Sequence, residues 1–181
     1  MWLFPLIILV LIVLIFAIWW ISTSNGFKRK QIKISEALSG IEVALTNRFD
    51  KLTKLVDVSK SYAKHEKETF TQVIKLRKGM TAEELSQANA KCDQLSARIF
   101  AVAEGYPELR SAEVFRELQA GIREAEAHLQ ASRRLYNSNV TIFNTAIAVF
   151  PSSIVARSQN LQSADFFVAE EEKKADVNCG I

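Results

Sequence analysis

Glycine, proline, cysteine and histidine are all scarce in this chain of 181 residues, which contains six, three, two and two of them. So few glycines and prolines do not supply the turns of a β-rich domain, and no segment alternates apolar and polar residues as a half-buried strand does. The sequence also lacks a glycine-rich phosphate loop, a nucleophile beside a base, and paired acids at a defined separation. We therefore expect an all-α protein with no catalytic residue, no cofactor and no small-molecule substrate.

Charged side chains are absent from the first apolar segment, Trp2 to Ile21. A helix of that length extends about 30 Å, which is the thickness of the hydrocarbon core of a bilayer. Pro5 falls in the first turn, where a helix tolerates proline, and tryptophans lie near both ends, at the depth that such rings prefer. The segment therefore predicts a transmembrane helix.

A cleaved signal peptide is the alternative interpretation of this segment. Such a peptide needs a basic region before its apolar core and small residues at its cleavage site. Here no lysine or arginine precedes the apolar run, and Trp19-Trp20-Ile21 makes a poor cleavage site. We therefore expect an uncleaved, single-pass anchor with a short N-terminus over residues 1–24.

Basic residues follow the span and do not precede it. Lys28, Arg29, Lys30 and Lys33 all lie shortly after its C-terminal end. Because cytoplasmic flanks of membrane spans carry the excess of lysine and arginine, we expect the N-terminus outside and the C-terminal domain in the cytoplasm. The same four side chains can also contact anionic lipid headgroups, at about 1 kcal/mol each, although setting the topology alone is the simpler interpretation.

Apolar residues after the anchor recur at steps of three and four, the period of helices that bury one face. The first such stripe runs from Ile34 to Leu76 and ends before Gly79. A second helix is predicted to begin at the capping box of Thr81 to Glu84 and to end at Gly105-Tyr-Pro107. These patterns predict two long helices.

A third long helix is predicted after Ser111, which we interpret as its N-terminal cap. Its apolar stripe includes Leu118 and continues to Pro151, beyond which Ile154 and Val155 can form a short fourth helix. Long amphipathic helices must cover one another, so we expect an antiparallel bundle domain over residues 25–165. The remaining residues, 166–181, mix acidic and basic side chains and predict a frayed tail.

Motif residues follow one another along these helices in a specific order and spacing. A first block contains Asn25-Gly26, Arg48-Phe-Asp50 and Tyr62-Ala-Lys-His65-Glu66, and a second contains Glu104-Gly-Tyr106-Pro107-Glu-Leu109, Glu126, Arg133-Arg-Leu-Tyr136-Asn137, Asn144 and Phe150-Pro151. Over nearly the whole chain, these blocks resemble those of the LemA family of bacterial membrane-anchored helical proteins. The resemblance implies an anchor in the bacterial inner membrane and an antiparallel helical bundle, and it implies no established enzymatic activity.

The chain departs from the family pattern at three places. Ser24 replaces a usual tyrosine, Leu38 replaces a usual tryptophan, and Thr53-Lys54 replaces a usual Pro-Asn pair. Because proline kinks helices, its absence at position 53 makes a kink in the first helix of the bundle less expected.

His65-Glu66 begins like a zinc-protease motif, but Thr69 occupies the position of the second histidine. The other histidine, His128, would have to meet His65 across helices, with an acidic residue nearby. The alternative function is therefore a metal-dependent factor or enzyme that uses His65, Glu66 and His128. A histidine beside a glutamate on a helix surface is usually only solvated, so we expect no metal site.

Polar residues on the apolar stripes are the remaining candidates. Arg48 lies on the first stripe, so its guanidinium either emerges beside the core or finds a buried acceptor. Asn137 and Asn144 lie one heptad apart, where polar side chains can fix the register of packed helices. For these residues and for Asp50 we favour a structural role, and a shallow binding groove is the alternative.

The sequence therefore predicts a non-enzymatic interaction or scaffold module that its anchor holds at the membrane. The expected partners are the membrane itself and another protein, or a second copy, bound through a helical face of coiled-coil type. No nucleic-acid partner is expected, because no basic cluster is interleaved with aromatic residues. Cys92 lies on the stripe of the second helix, where a reduced thiol acts as a small apolar residue.

Overall fold

Five helices make up most of the computed structural model, which describes residues 3–62 and 79–167. They are α1 (Leu3–Tyr62), α2 (Ala82–Glu104), α3 (Pro107–Ser111), α4 (Glu113–Ala148) and α5 (Ser152–Ser158), and these ranges contain no strand. The predicted all-α class is therefore confirmed. The predictions for Trp2, His65 and Glu66, and for residues 168–181, lie outside the described part of the chain.

The chain divides into two compact units, and both α1 and α4 contribute to each of them. Unit 1 comprises Met1–Glu36 and Tyr136–Asp165, and unit 2 comprises Ala37–Leu135 and Phe166–Ile181. The predicted division into an anchor over residues 1–24 and a bundle over residues 25–165 stays a prediction.

Helix α1 contains the apolar N-terminal segment and continues without a break into the first predicted stripe. Thr53 and Lys54, which replace the family's usual Pro-Asn pair, lie inside it, as expected for a helix without a proline at that point. Among the described residues, α1 is the helix that by itself is long and apolar enough to cross a membrane. Helices α4 and α5 meet the same criterion only as a pair, and that pair is bent by 92°.

Unit 2 buries apolar faces of three long helices against one another. The predicted stripes supply its core, with Leu45 and Leu52 from α1, Leu85 and Ile99 from α2, and Leu129 from α4 all fully buried. On α4 the stripe is buried at Phe115 and Ile122, whereas Leu118 is only half-buried. The periodicity therefore identified the buried face of each helix and misjudged single positions at its margin.

Of the two predicted N-terminal caps, the one for α2 is confirmed and the one for α4 is wrong. Thr81 and Glu84 form the predicted capping box, in which the Glu84 amide donates to Thr81 Oγ1 at 3.2 Å and the Thr81 amide donates to Glu84 Oε2 at 2.8 Å. Ser111 does not cap α4. It ends the short helix α3, which begins at Pro107, and its hydroxyl donates to the carbonyl oxygen of Glu108 at 3.0 Å.

Unit 1 has its own apolar core, in which Phe27 of α1 packs with Phe143 of α4 and with Val155 and Ala156 of α5. The half-buried residues around this core are Trp19, Trp20, Ile34, Ala146, Ile147, Leu161 and Ala164. Helix α5 is the predicted short fourth helix, although only Val155, and not Ile154, is buried. The Phe150–Pro151 peptide bond that precedes it is cis.

Candidate functional site

Among the described residues of unit 2, Arg48 is the most deeply buried charged side chain, with only 4% of its surface exposed. The sequence left open whether its guanidinium emerges beside the core or finds a buried acceptor, and the structure shows the second arrangement. A buried guanidinium keeps its charge, so it must recover from protein acceptors the hydrogen bonds that it loses to water.

Three side chains surround the Arg48 guanidinium, and each lies on α2 or α4. Nη1 donates to Asn89 Oδ1 at 2.7 Å, and Nη2 donates to Asp93 Oδ1 at 2.6 Å. Nη1 also lies 2.8 Å from Glu126 Oε2. Arg48, Asn89, Asp93 and Glu126 together are called the polar centre below.

The contacts of the polar centre differ in quality. Asn89 Nδ2 donates to Asp93 Oδ2 at 3.3 Å, so the amide joins the arginine to one of the carboxylates. Arg48 Nε and Glu126 Oε2 are buried without a hydrogen-bond partner, so the Arg48–Glu126 contact is an ion pair by distance and not an aligned hydrogen bond. The Asp93 and Glu126 side chains are 30% and 29% exposed, which leaves both carboxylates partly hydrated.

Arg133 supplies a second cation to this region of unit 2 and is itself 8% exposed. Burial lowers the pKa of the Arg133 guanidinium, and the nearby carboxylates of Glu126 and Asp93 oppose that shift. Its guanidinium carbon lies 4.6 Å from the centre of the Phe167 ring, a cation–π distance, and Phe167 is buried. Phe167, the second residue of the predicted tail over 166–181, is thus packed in unit 2, and the tail itself stays a prediction.

Cys92 is fully buried beside the polar centre, on the face of α2 where the sequence placed it. Burial raises the pKa of its thiol to about 11, and the Arg48 cation only partly opposes this shift. A thiol with a raised pKa is protonated at neutral pH and is a poor nucleophile. Cys92 therefore acts as an apolar core residue, as predicted.

A second set of motif residues acts in unit 1, where it holds the extended segment that follows α5. Asn144 Nδ2 donates to the carbonyl oxygen of Ala164 at 2.9 Å, and Asn144 Oδ1 accepts from the Ala164 amide at 2.8 Å. Tyr136 donates its hydroxyl to the carbonyl oxygen of Asp165 at 3.0 Å. The role of Asn144 thus differs from the predicted one, because it binds backbone and not a side chain of a neighbouring helix.

The remaining motif residues have structural or exposed positions. Pro107 is the first residue of α3, where its missing N–H costs nothing, and Tyr106 before it is half-buried. Asp50 and Phe150 are exposed, and Asn137 is half-buried, with its carbonyl oxygen accepting from Thr141 Oγ1 at 2.9 Å. Pro151 lies between α4 and α5.

The alternative metal site is not tested by the structure. His128 is exposed, and His65 and Glu66 lie outside the described residues. Within residues 3–62 and 79–167, no three histidine, cysteine, aspartate or glutamate side chains are grouped so that they could hold a metal ion.

Two members of the polar centre, Asn89 and Asp93, were missed in the sequence. A signal for them exists: Asn89 interrupts the apolar face of α2 between Ala88 and Ala90, and Asp93 follows one helical turn later. An amide on a buried stripe needs a polar partner, and Arg48 on the stripe of α1 has the same need. Pairing Asn89 with Arg48 on this ground would have predicted the contact between α1 and α2.

The polar centre predicts a specific pattern of stability. We expect Arg48→Met to lower the free energy of unfolding by about 3 kcal/mol, because Asp93 and Glu126 would lose the one cation that contacts both of them directly. Arg48→Lys should lose less, because an ammonium group keeps the charge but cannot reproduce the two-pronged donation. Urea denaturation in detergent, followed by circular dichroism, measures the free energy of unfolding of the natural chain and of both variants.

Two control variants separate charge from packing in that experiment. Arg98→Met, at an exposed position of α2, should change the free energy of unfolding by less than about 0.5 kcal/mol. Adding Asp93→Asn and Glu126→Gln to Arg48→Met should recover much of the loss, because the two carboxylates that Arg48 contacted are then neutral and Arg133 keeps its cation–π contact with Phe167. If Arg48→Met unfolds like Arg98→Met, the polar centre does not stabilise the bundle.

Cys92 predicts how stability depends on pH. Since burial raises the folded-state pKa of its thiol from 9.0 to about 11, the stabilisation from keeping that thiol neutral is complete below pH 9 and is lost as the pH approaches 11. We expect the free energy of unfolding of the natural chain, relative to Cys92→Ala, to fall by about 2 kcal/mol between pH 8 and 10.5. Other groups titrate equally in both proteins, so a constant difference would contradict the burial of this thiol.

Comparison with known proteins gives the same family as the motif residues. The LemA family matches residues 37–179, a range that includes the whole polar centre and the Asn144 and Tyr136 contacts. Protein LemA of Metamycoplasma hominis is 25% identical over 180 residues, which cover 97% of this chain and 82% of that relative. Since the match covers well over half of the sequence and agrees with the motif residues, the chain belongs to the LemA family.

Proposed function

We propose that this protein is a single-pass, membrane-anchored helical bundle that acts as a non-enzymatic interaction or scaffold module on the cytoplasmic face of the bacterial inner membrane. The observation that carries the proposal is the exposure of the N-terminal part of α1. From Phe4 to Ile21 its large aliphatic and phenylalanine side chains are 44–74% exposed. A helix that is apolar on all sides is stable only in an apolar solvent, and a bilayer is the solvent of matching thickness.

The orientation follows from the charges just after the span. Lys28, Arg29 and Lys33 are exposed and Lys30 is half-buried, so these side chains are free to remain on the cytoplasmic side. Their exposure also lets them approach anionic headgroups of the inner leaflet.

A non-enzymatic role is supported by how the reactive side chains of unit 2 are used. The Arg48 guanidinium is occupied by Asn89, Asp93 and Glu126, and the Cys92 thiol is buried with a raised pKa. Large apolar side chains that stay exposed in unit 2 offer helical faces to a partner: Val43, Val114 and Leu135 are 70%, 53% and 58% exposed.

The anchor and its orientation are tested together in cells. We expect the full chain to resist carbonate extraction from membranes, and Leu11→Arg with Ile12→Arg to release it, because each arginine costs about 3 kcal/mol at the centre of a span. Cys179 should react with an impermeant thiol reagent only after the cells are lysed.

The matched control for extraction is Ile32→Arg with Val43→Arg, which places the same charges at exposed apolar positions of α1 after the span. That variant should stay in the membrane. Labelling of Cys179 in intact cells would contradict the orientation, and release of the unaltered chain by carbonate would contradict the anchor.

The interaction role is tested by purification in mild detergent. We expect the protein to migrate as a complex with a partner or with itself, to keep that complex in the presence of a metal chelator, and to lose it on Val43→Glu with Leu135→Glu. Thr46→Glu, at an exposed polar position of α1, is the control and should leave the complex intact. A monomer without any partner would exclude the scaffold role. A complex that a chelator dissociates would favour the metal-dependent alternative.

A further inference from the structure

The corner between α4 and α5 carries an exposed apolar cluster that the anchor and the bundle do not account for. Val149, Phe150 and Ile154 are 48%, 80% and 49% exposed, and Phe150 is the most exposed large apolar side chain among the described residues. No aspartate, glutamate, lysine or arginine occurs from Leu135 to Ala156. These three residues are called the α4–α5 corner below.

Contacts inside unit 1 fix the level of the corner along α1. Asn139 Nδ2 of α4 donates to the carbonyl oxygen of Lys33 at 3.1 Å, and Phe143 packs with Phe27, so the two helices are antiparallel there. The helical segment from Asn139 to Ala148 advances about 14 Å, and the equally long segment from Lys33 back to Ser24 advances as far in the same direction. The end of α4 therefore lies level with Ser24, three residues after the apolar span ends at Ile21, and Phe150 follows two residues later.

A second contact places the end of α5 at nearly the same level. Gln159 Nε2 donates to Ser24 Oγ at 2.7 Å, one helical turn after Trp20. The chain thus runs along α4 to the level of Ser24, turns at Phe150 and Pro151, and is level with Ser24 again at Gln159. A bend of 92° between α4 and α5 fits a corner that enters and leaves one leaflet and does not cross it.

Two serines of the corner bond backbone carbonyl oxygens, which lipid cannot do. Ser152 donates its hydroxyl to the carbonyl oxygens of Ala146 at 2.7 Å and Val149 at 3.0 Å. The Ser153 amide donates to the same Val149 oxygen at 2.8 Å. These bonds use carbonyl oxygens that the end of α4 would otherwise leave for water.

Exposed basic residues lie close to the corner in the chain and just after the span on α1. Arg157 near the end of α5, and Lys28 and Arg29 on α1, are all exposed. An apolar tip with cations behind it is the pattern of a segment that lies in a membrane interface, where the tip meets acyl chains and the cations meet phosphate groups.

We propose that the α4–α5 corner inserts into the interface of the leaflet through which α1 leaves the membrane, with phospholipid covering Phe150, Val149 and Ile154. This inference rests on the proposed membrane anchor, since the level of the corner is defined relative to α1. It gives the protein a second membrane contact that holds unit 1 against the bilayer.

Single nitroxide labels on the full chain test the inference. The background is Cys92→Ala with Cys179→Ser, and the protein is placed in vesicles of phosphatidylethanolamine and phosphatidylglycerol. Phe150→Cys is the test position, Phe16→Cys reports on the anchor, and Ser138→Cys, an exposed position on α4, reports on water. The spin relaxation of each nitroxide is measured with oxygen, which concentrates in lipid, and with a water-soluble nickel chelate, which stays in water.

We expect the labels at Phe150 and Phe16 to favour oxygen and to be at least fivefold less accessible to the nickel chelate than the label at Ser138. If the label at position 150 is as accessible to the nickel chelate as the label at position 138, while the label at position 16 stays in lipid, the proposed insertion of the corner is wrong and the anchor stands. If Phe16 is also in water, the proposed anchor fails, and the corner fails with it.

A second measurement avoids the change in side-chain shape. A photoreactive phenylalanine analogue in place of Phe150 should form lipid adducts in the same vesicles, and the analogue in place of Val114, an exposed position in unit 2, should form none. Equal lipid labelling at both positions, or none at Phe150, would overturn the inference.

Discussion

A guanidinium that has lost its water constrains the packing of unit 2. Arg48 projects from α1, and its hydrogen-bond and charge partners lie on α2 and α4, so the three long helices must meet at one level for the cation to be satisfied. Two helices that pack through apolar stripes can shift by one helical turn relative to each other, because one leucine then takes the place of another at a modest cost in stability. A buried cation does not allow such a shift, because the cation would lose its hydrogen-bond acceptors and keep its charge. The polar centre therefore selects one arrangement among those that the stripes allow.

Small features around the polar centre follow from the same constraint. Lys51, one turn after Arg48, donates to the carbonyl oxygen of Gly121 at 3.0 Å, and a Cβ at position 121 would lie 3.3 Å from Lys51 Cδ. Glycine at 121 thus leaves room for the Lys51 side chain to reach the carbonyl oxygen of Gly121 on α4. Arg133, under partial burial, contributes the second positive charge beside Glu126 and Asp93. Two arginines and two carboxylates leave this interior close to electrically neutral.

The fold was largely predictable from the sequence, whereas the contacts of the candidate site were not. Helical periodicity, the capping box at Thr81 and the breaks near Gly105 and Pro151 are local signals, and local signals fix the type and ends of helices. Arg48 was identified as unusual because it interrupts a stripe, but its partners depend on how α1, α2 and α4 are rotated toward each other. Asn144 shows the same limit: its heptad position suggested contact with a helix, but its amide pairs with the backbone of Ala164 in an extended segment that has no periodic signal.

The core of unit 1 joins residues that are far apart in sequence, and this has a consequence for how the protein is made. Ser24 and Lys33 bind Gln159 and Asn139, so these contacts span 135 and 106 residues. During synthesis α1 leaves the ribosome first, and Phe27 then lacks its buried neighbours Phe143, Val155 and Ala156 until α4 and α5 have been translated. Unit 1 is completed only when Ala164 and Asp165 reach Asn144 and Tyr136. A nascent chain that stalls before Phe143 therefore exposes the Phe27 ring beside the apolar N-terminal part of α1, and the core of unit 1 cannot form.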